Sequence, residues 1–148
     1  MNDKETCEVG KGFTVSVPVI DVEGYYQPKI GKIIMSKYKV TSHAGKGVFS
    51  CVVRASIVGE DSQVAIKILR TNLDVIRVSG EKERSVVGLL NKTDPHDKKN
   101  IIRLLESFEY NSHLCLVYEC MELNLRETLN KFGKGVGLSL DGVCLYGR

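Results

Sequence analysis

The run Val64-Ala65-Ile66-Lys67 places a lysine at the end of a short apolar, β-branched segment. Side chains alternate between the two faces of a strand, so Ala65 and Lys67 are predicted to share one face, opposite the two branched residues. The lysine needs a charged partner, because an unpaired buried charge is strongly destabilising. A small residue beside it would let a flat ligand approach Ala65 while the ammonium group reaches the ligand's charged end.

A glycine-containing segment, Gly45-Lys46-Gly47-Val48-Phe49-Ser50, precedes this strand and leads into another β-type run. The absence of a Cβ at Gly45 and Gly47 lets backbone N–H groups come close to phosphate oxygens. Taken alone the pattern is weak, because an ordinary hairpin turn has the same composition. Together with Lys67, it predicts a phosphate site.

Turn signals divide the middle of the chain into strands. The first three predicted strands are Tyr38–His43, Phe49–Ile57 and Gln63–Leu69, with turns at Gly45–Gly47 and Gly59–Ser62. Two further strands, Ile101–Phe108 and His113–Glu119, flank a turn at Asn111-Ser112. Strands joined by short turns run antiparallel, so we expect a five-stranded antiparallel sheet in an α+β fold.

One main helix is predicted between the third and fourth strands, over residues 80–90. Glu83 shares a helix face with apolar residues such as Val87, so its carboxylate needs a cation, and Lys67 is the candidate. Glu81 is the alternative partner for this lysine. A third interpretation is that both charged groups reach solvent, which is the default for isolated lysine and glutamate side chains.

The two ends of the chain carry less regular patterns. Residues 1–35 are predicted to form an N-terminal extension outside the main core, with one β-type run, Phe13–Ile20, that its proline would restrict to a sheet edge. Near the other end, Asn124–Phe132 and Leu138–Tyr146 are predicted helices, and Gly133 stands at the C-cap position of the first.

Length and composition indicate one ordinary globular domain of 148 residues, 43% apolar and 26% charged. The net charge of +3 is spread without a dense basic block, which favours neither direct nucleic-acid binding nor a membrane partner. The five cysteines have no Cys-x-x-Cys spacing, so a reducing compartment is the simpler interpretation. Without a signal pattern or an apolar run of about 18 residues, the chain is expected to be soluble and intracellular.

The order of strand, glycine turn, strand, Val-Ala-Ile-Lys strand and glutamate-bearing helix resembles the small lobe of a protein kinase. Within the group of cyclin-dependent and Clk-like kinases, the sequence is similar to the pre-mRNA-processing factor four kinases. The segments that carry this resemblance are Glu23–Tyr26, Gly45–Ser50, Val64–Lys67, Asp94–Lys98, His113–Glu119, Asn124–Glu127, Lys131–Lys134 and Val136–Leu138. The resemblance implies a kinase small lobe over residues 36–118, followed over residues 119–148 by the hinge and the start of a helical large lobe.

The resemblance also implies ATP as the cofactor. The matching positions are Gly45, Lys46, Gly47 and Ser50 in the phosphate loop, Val52 and Ala65 against the adenine, Lys67 on the α and β phosphates with Glu83 as its ion-pair partner, Tyr118 as the gatekeeper, and Glu119 and Met121 in the hinge. At the hinge, the Glu119 carbonyl and the Met121 N–H would hydrogen-bond the adenine edge. The catalytic contribution implied for this chain is the ion pair of Lys67 with Glu83.

Three departures from the family pattern stand out. Ser50 replaces the third glycine of the loop, and Arg84 follows the helix glutamate where an apolar residue is usual, which keeps Glu81 open as the partner of Lys67. Neither His-x-Asp nor Asp-Phe-Gly occurs in the sequence, and Lys131-Phe132-Gly133 has a lysine where the metal-binding acid belongs. Phosphoryl transfer needs these acids, so this chain alone is predicted to be inactive, and magnesium binding is expected only with a complete large lobe.

We therefore expect the ATP-binding N-terminal portion of a serine/threonine protein kinase, with protein substrates only in a complete kinase. By resemblance, the expected partners include splicing factors, and the nucleus is favoured over the cytoplasm. The alternative is a non-catalytic truncated or pseudokinase interaction module. A simple nucleotide-binding protein is a weaker third candidate, because much of the enclosing pocket would belong to the large lobe.

Overall fold

A six-stranded antiparallel sheet and one long helix form most of the part of the chain that the structure describes. This computed structural model describes residue 21 and residues 23–133 and 136–146, without the side chains of residues 145 and 146. The elements are β1 (Ile33–Ile34), β2 (Tyr38–Lys46), β3 (Ser50–Ile57), β4 (Gln63–Leu69), α1 (Asp74–Thr93), β5 (Leu104–Tyr110), β6 (His113–Glu119), α2 (Leu125–Phe132) and α3 (Leu140–Tyr146). The predicted α+β fold is confirmed, with β1 as an additional edge strand too short to leave a pattern in the sequence.

The lysine-bearing strand β4 lies inside the sheet, whose strand order is β1-β2-β3-β4-β6-β5. Val52 of β3 and Leu116 of β6 are the register partners of Lys67 on its two sides. Helix α1 leads from β4 to the edge strand β5, and the chain then returns through β6 to pair with β4. Lys67 is therefore held between two paired neighbours, which fixes its position along the sheet.

The two faces of the sheet bury separate apolar clusters. On one face, Val64 and Ile66 of β4 are buried with residues from β2, β3 and β6. The cluster on the other face consists of Leu69, Ile76, Leu114, Leu116 and Tyr118, with Val87 and Leu104 packed against it. Because Ile76 and Val87 belong to α1, this second face is the one that the helix covers. The predicted alternation of β4 is confirmed, with Ala65 and Lys67 on the helix-covered face.

The N-terminal segment packs onto the sheet instead of lying outside the core. Tyr26 and Ile34 are buried in the first cluster, and Ile34 pairs with Tyr38 at the sheet edge. The expectation that residues 1–35 lie outside the core is wrong for the described part, because its aromatic and branched side chains find apolar partners on the sheet. The β-type run predicted at residues 13–20 lies outside the described residues.

The hairpin between β2 and β3 reverses later than the glycine pattern predicts. Strand β2 continues through Gly45 to Lys46, past its predicted end, and Gly45 is the register partner of Val52. The reversal lies at residues 47–49 and not at residues 45–47. Pairing with a neighbouring strand has overridden the low strand propensity of glycine, as tertiary context often does.

Helix α1 begins at Asp74, well before the predicted start at residue 80, and ends at Thr93. Leu73 at the N-cap makes no side-chain cap hydrogen bond, so the polar signal that marks most helix starts is missing from the sequence. The first turns are instead anchored by Ile76, which is buried. No helix within the described ranges, α1 included, has the length and apolar character needed to cross a membrane.

The later elements follow the predicted order with shifted ends. Strand β5 and helix α3 begin at Leu104 and Leu140, later than predicted. Strand β5 starts later than predicted because the backbone N–H groups of Arg103 and Leu104 donate to side chains of β6 and α1. Helix α2 is confirmed, since Asn124 and Glu127 form a capping box and Gly133 is its C-cap residue.

Two of the described cysteines are buried free thiols in the first cluster. Burial raises the pKa of the Cys51 thiol to about 11 and that of the Cys115 thiol to about 12, because the thiolate would be poorly solvated there. Both side chains are therefore protonated at neutral pH and act as small apolar residues of the core.

Replacing the two glycines of α1 with alanine is expected to have opposite effects. A Cβ at Gly80 would overlap the Leu69 side chain and lie 3.1 Å from Leu114 Cδ2, so Gly80→Ala should lower the free energy of unfolding by about 1–3 kcal/mol. A Cβ at Gly88 would meet no atom within 4 Å, so Gly88→Ala should raise it by about 0.5–1 kcal/mol through helix propensity. Urea unfolding measures both variants, and equal effects at the two positions would contradict the packing of α1.

Asp94 organises the loop after α1 and should make stability depend on pH. Its two carboxylate oxygens accept the Lys98 and Lys99 N–H groups at 2.9 Å and 2.8 Å, and these bonds lower the pKa of Asp94 below 3.8. The stabilisation is present above the unfolded pKa and is lost as pH falls through the folded pKa. Asp94→Asn should therefore be less stable than the unmodified chain at neutral pH, and it should lose less stability than the unmodified chain as the pH falls below about 4.

Thermal unfolding across this pH range tests the prediction. Asp61→Asn is the matched control, because it removes an exposed carboxylate from the turn between β3 and β4. The role of Asp94 would be refuted if its variant and the control showed the same loss of stability on acidification.

Candidate functional site

Lys67 and Glu83 form an ion pair between β4 and α1. Lys67 Nζ lies 2.9 Å from Glu83 Oε1 and 2.7 Å from Oε2, and the two side chains are 28% and 33% exposed. Buried Gly80 precedes Glu83 by one helical turn, which puts this carboxylate on the sheet-facing side of α1. Glu81 pairs instead with Arg84 within the helix. The alternatives of Glu81 as the lysine's partner and of two solvated charges are therefore wrong.

Tyr118 connects the same carboxylate to β6. Its phenol donates a hydrogen bond to Glu83 Oε1 at 2.7 Å, and Tyr118 is the register partner of Ala65. Burial, followed by the hydrogen bond to Glu83, raises the pKa of Tyr118, so the phenol remains a donor at neutral pH. Sequence analysis expects the gatekeeper position for Tyr118 but not this hydrogen bond, because no sequence spacing relates β6 to α1.

Two backbone hydrogen bonds fix the tip of the glycine hairpin, one within the hairpin and one from the residue that follows β4. The Gly47 N–H donates to Ser50 O at 2.8 Å, and the Arg70 N–H donates to Phe49 O at 3.0 Å. The side chains of Val48 and Phe49 are exposed. Their backbone N–H groups have no acceptor within the part of the chain that the structure describes. Free N–H groups in a turn of this kind can bind phosphate oxygens.

Lys46 directs its ammonium group toward the N-terminal segment. Its Nζ lies 3.7 Å from Asp21 Oδ2 and 3.8 Å from Glu23 Oε2, and 3.9 Å from the centroid of the Tyr25 ring. These contacts engage the charge of a residue that the family resemblance places in the phosphate loop. Of the predicted loop residues, Gly45, Gly47 and Ser50 thus shape the hairpin. The Lys46 side chain instead contacts acidic and aromatic side chains of the N-terminal segment.

A cleft of about 520 Å³ opens on the helix-covered face of the sheet, between β2, β3, β4 and the segment after β6. Its lining residues are Ser42, His43, Ala44, Arg54, Ala65, Ile102, Glu119, Cys120, Met121, Leu123, Asn124 and Glu127. Three predicted adenine contacts, Ala65, Glu119 and Met121, therefore lie together in one cleft. Val52 lies beside them in the sheet as the register partner of Lys67.

Arg54 is a cleft residue that sequence analysis misses. From β3, its guanidinium donates to Met121 O at 3.2 Å and to Glu122 O at 3.0 Å. These bonds join the glycine hairpin's second strand to the segment after β6, on the far side of the cleft. A single arginine in a strand is usually a solvated surface residue, so the sequence contains no signal for this contact.

The arrangement suits a nucleoside triphosphate. Ala65 leaves room for a flat ring, backbone groups of the segment after β6 border the cleft, and Lys67 supplies a positive charge held in place by Glu83. The free N–H groups at the hairpin tip add donors for phosphate oxygens. Among the residues that the structure describes, no group of three or more histidine, cysteine, aspartate and glutamate side chains could hold a metal ion.

Comparison with known proteins assigns the family. The model of the protein kinase domain matches residues 38–138, which is more than half of the chain. The chain belongs to the protein kinase family. It is 43% identical over 126 residues to the serine/threonine-protein kinase prp4 of Schizosaccharomyces pombe and 38% identical over 130 residues to the serine/threonine-protein kinase prpf4B of Dictyostelium discoideum.

These matches cover most of this chain but a small part of each relative. The matched regions are 85% of the chain and 26% of prp4, and 86% of the chain and 16% of prpf4B. A probable serine/threonine-protein kinase, yakA of Dictyostelium discoideum, is 37% identical over 74% of the chain and 8% of its own length. The resemblance to the pre-mRNA-processing factor four kinases, within a group that includes Clk-like kinases, is thereby confirmed.

Removing the Tyr118 hydroxyl should weaken the attachment of α1 to the sheet. Tyr118→Phe removes one donor from a carboxylate that is partly exposed, so the free energy of unfolding should fall by about 1.5 kcal/mol. Since Lys67 binds the same carboxylate, Lys67→Met and Tyr118→Phe should be non-additive by at least about 0.5 kcal/mol in a double-mutant cycle. Urea unfolding of the four proteins gives this coupling, and strict additivity would show that the two side chains do not share Glu83.

Proposed function

We propose that this chain is the ATP-binding N-terminal portion of a serine/threonine protein kinase. The observation that carries the proposal is the ion pair of Lys67 with Glu83, which lies between a glycine hairpin and a cleft on the same sheet face. Each of these parts has a separate task in binding a nucleotide, and membership of the protein kinase family supports their combination.

The proposed roles follow the geometry. Ala65 and Val52 contact the adenine, and Glu119 O and Met121 N–H hydrogen-bond its edge, next to the carbonyls already engaged by Arg54. Lys67 pairs with the α and β phosphates because Glu83 holds its ammonium group in a fixed position. ATP, when bound, supplies the phosphoryl group for transfer to a protein hydroxyl.

The remaining chemical groups of a kinase are not found in this sequence. No His-x-Asp segment provides a base for the substrate hydroxyl, and no Asp-Phe-Gly segment provides an acidic ligand for magnesium. We therefore propose that the 148 residues alone transfer no phosphate, and that magnesium and protein substrates bind only where a large lobe is present. Residues 36–118 would be the small lobe, and residues 119–148 the hinge and the beginning of the large lobe.

The resemblance to the pre-mRNA-processing factor four kinases, together with the similarity to the serine/threonine-protein kinases prp4 and prpf4B, supports a proposed role in pre-mRNA splicing. On this basis we propose splicing factors as partners and the nucleus as the location of the protein. The alternative function is a non-catalytic interaction module, either a truncated product or a pseudokinase. The absence of the two catalytic segments from the sequence favours this alternative if the native product carries no further kinase residues.

Kinase activity should depend on Lys67. The endogenous protein, captured with an antibody against residues 1–35, is expected to be larger than 16.4 kDa and to transfer labelled γ-phosphate to a protein. In the same protein, Lys67→Met should lower the transfer rate at least about 100-fold, because the phosphates lose a fixed positive charge. Lys39→Met, which removes an exposed lysine from β2, should leave the rate unchanged.

The alternatives give different results in this experiment. A captured product of 16.4 kDa without transferase activity would support the interaction module. Phosphate transfer by the purified 148-residue chain, abolished by Lys67→Met, would overturn the proposal that these residues are inactive alone.

A further inference from the structure

A short segment ahead of β1 contacts the outside of the glycine hairpin. This segment, Asp21 with residues 23–26, is called the N-terminal brace below. The brace is itself structured, because Asp21 Oδ1 accepts the Glu23 and Tyr25 N–H groups at 3.1 Å and 2.8 Å. These bonds form a tight turn that presents the Tyr25 side chain to the hairpin.

Tyr25 binds the hairpin through backbone carbonyls. Its hydroxyl donates to Gly47 O at 2.6 Å and lies 3.1 Å from Val48 O, and Tyr25 is buried. The Arg70 guanidinium also donates to Val48 O, at 2.7 Å, and its Nε donates to Glu23 O at 2.8 Å. Arg70 directly follows β4, so the brace, the hairpin tip and the end of the lysine-bearing strand form one hydrogen-bonded unit.

Charge contacts hold the Tyr25 ring in place. Lys46 Nζ lies 3.9 Å and the Arg70 guanidinium carbon 4.5 Å from the ring centroid, so two cations flank the aromatic ring. Lys46 is balanced by the carboxylates of Asp21 and Glu23. These contacts explain why the Lys46 side chain points toward the brace, although the family resemblance places this residue in the phosphate loop.

The brace is also fixed to the connection between β4 and α1. Gly24 O accepts the Thr71 N–H at 3.1 Å. Gly24 has a φ of +79°, and a Cβ there would lie 2.7 Å from Asn72 Cβ. Only glycine fits this close approach and this backbone conformation without strain.

The carbonyl contacts determine where the hairpin N–H groups point. A trans peptide directs its C=O and its N–H to opposite sides, and no described peptide bond is cis. Because the brace holds Gly47 O, the Val48 N–H points away from it. Because Tyr25 of the brace and Arg70 both contact Val48 O, the Phe49 N–H also points away from the brace. Lys46, which lies over the Tyr25 ring, is the register partner of Cys51, and Cys51 is buried in the first cluster on the sheet face opposite Lys67. The Tyr25 contacts therefore lie on that face, so the free N–H groups on the other side of these peptides are directed toward the lysine face.

We propose that Tyr25 is a positioning residue for phosphate binding. By holding Gly47 O and Val48 O on the outer side, it aims the N–H groups of Val48 and Phe49 at the phosphates of the nucleotide. The predicted effect of Tyr25 on nucleotide binding rests on the proposed ATP function. The hydrogen bonds of Tyr25 to the hairpin do not depend on any ligand. We therefore expect Tyr25 to affect binding of the phosphates of the nucleotide and not binding of its adenosine part.

Amide exchange in the ligand-free 148-residue chain tests the hold. Tyr25→Phe should speed exchange of the Gly47 and Arg70 amides about fivefold, because the hairpin tip then opens more often. Arg70→Gln, which removes the second contact to Val48 O, should speed exchange of the Gly47 amide in the same way. Tyr38→Phe is the control, because its hydroxyl binds Glu106 at the other end of β2, and it should leave both amides unchanged.

Nucleotide binding by the same proteins tests the consequence. Tyr25→Phe should raise the Kd for ATP about fivefold and leave the Kd for adenosine unchanged, whereas Tyr38→Phe should change neither. This selective loss is the expected result, since adenosine lacks the phosphates that the hairpin N–H groups would bind. A general loss of folding would weaken both ligands equally.

The two measurements separate failure of this inference from failure of the proposed function. Unchanged Gly47 exchange in both the Tyr25→Phe and Arg70→Gln variants would overturn the inference, whatever the nucleotide affinity. Equal weakening of ATP and adenosine would also overturn the positioning role. Faster exchange in the variants, with no ATP or adenosine binding by the unmodified chain, would support the hold of Tyr25 and contradict the ATP function of this chain.

Discussion

The ion pair of Lys67 with Glu83 is the interaction on which the arrangement of the site depends. A lysine on an inner strand and a glutamate on the sheet-facing side of α1 would each be costly without the other. Their contact at 2.7 Å requires α1 to lie close against β4 and β6, and Gly80 permits this approach because it has no side chain to meet Leu69. The Tyr118 phenol adds a third element to the same carboxylate. One strand, one helix and a second strand are thereby fixed around a single positive charge.

Side chains of β3 and of the residue after β4 form hydrogen bonds at the two ends of the cleft. The central lysine of β4 lies in register with Val52, and the residue after the end of this strand, Arg70, binds the hairpin tip through Val48 O. On the opposite side, Arg54 of β3 binds the carbonyl groups of Met121 and Glu122. The hairpin, the lysine and the segment after β6 are thus linked by hydrogen bonds within one sheet. This linkage holds groups that are distant in sequence at fixed positions relative to one another.

Sequence patterns were most informative where a local rule had only one outcome. The alternation along β4 identified the buried Ile66 and the opposite face of Lys67, and Gly133 was predicted correctly as the C-cap residue of α2. The pattern failed where a helix started without a polar cap, at Leu73, and where pairing carried β2 through Gly45. Charged partners were the least predictable, since helix spacing alone left both Glu81 and Glu83 open. The contacts of Arg54 and Tyr25 to backbone carbonyls left no sequence signal.

The sequence by itself determined the kind of site: the glycine hairpin, the lysine strand, the glutamate helix and their order along the chain, which together indicate a kinase small lobe. These features are local in the chain, so the spacing of residue types records them. Only the tertiary structure decided that Glu83 and not Glu81 meets Lys67, that Tyr118 shares this carboxylate, and that the N-terminal brace holds the hairpin. Each of these contacts joins separate elements, and its geometry depends on how the helix and the sheet pack together, which no short sequence pattern encodes.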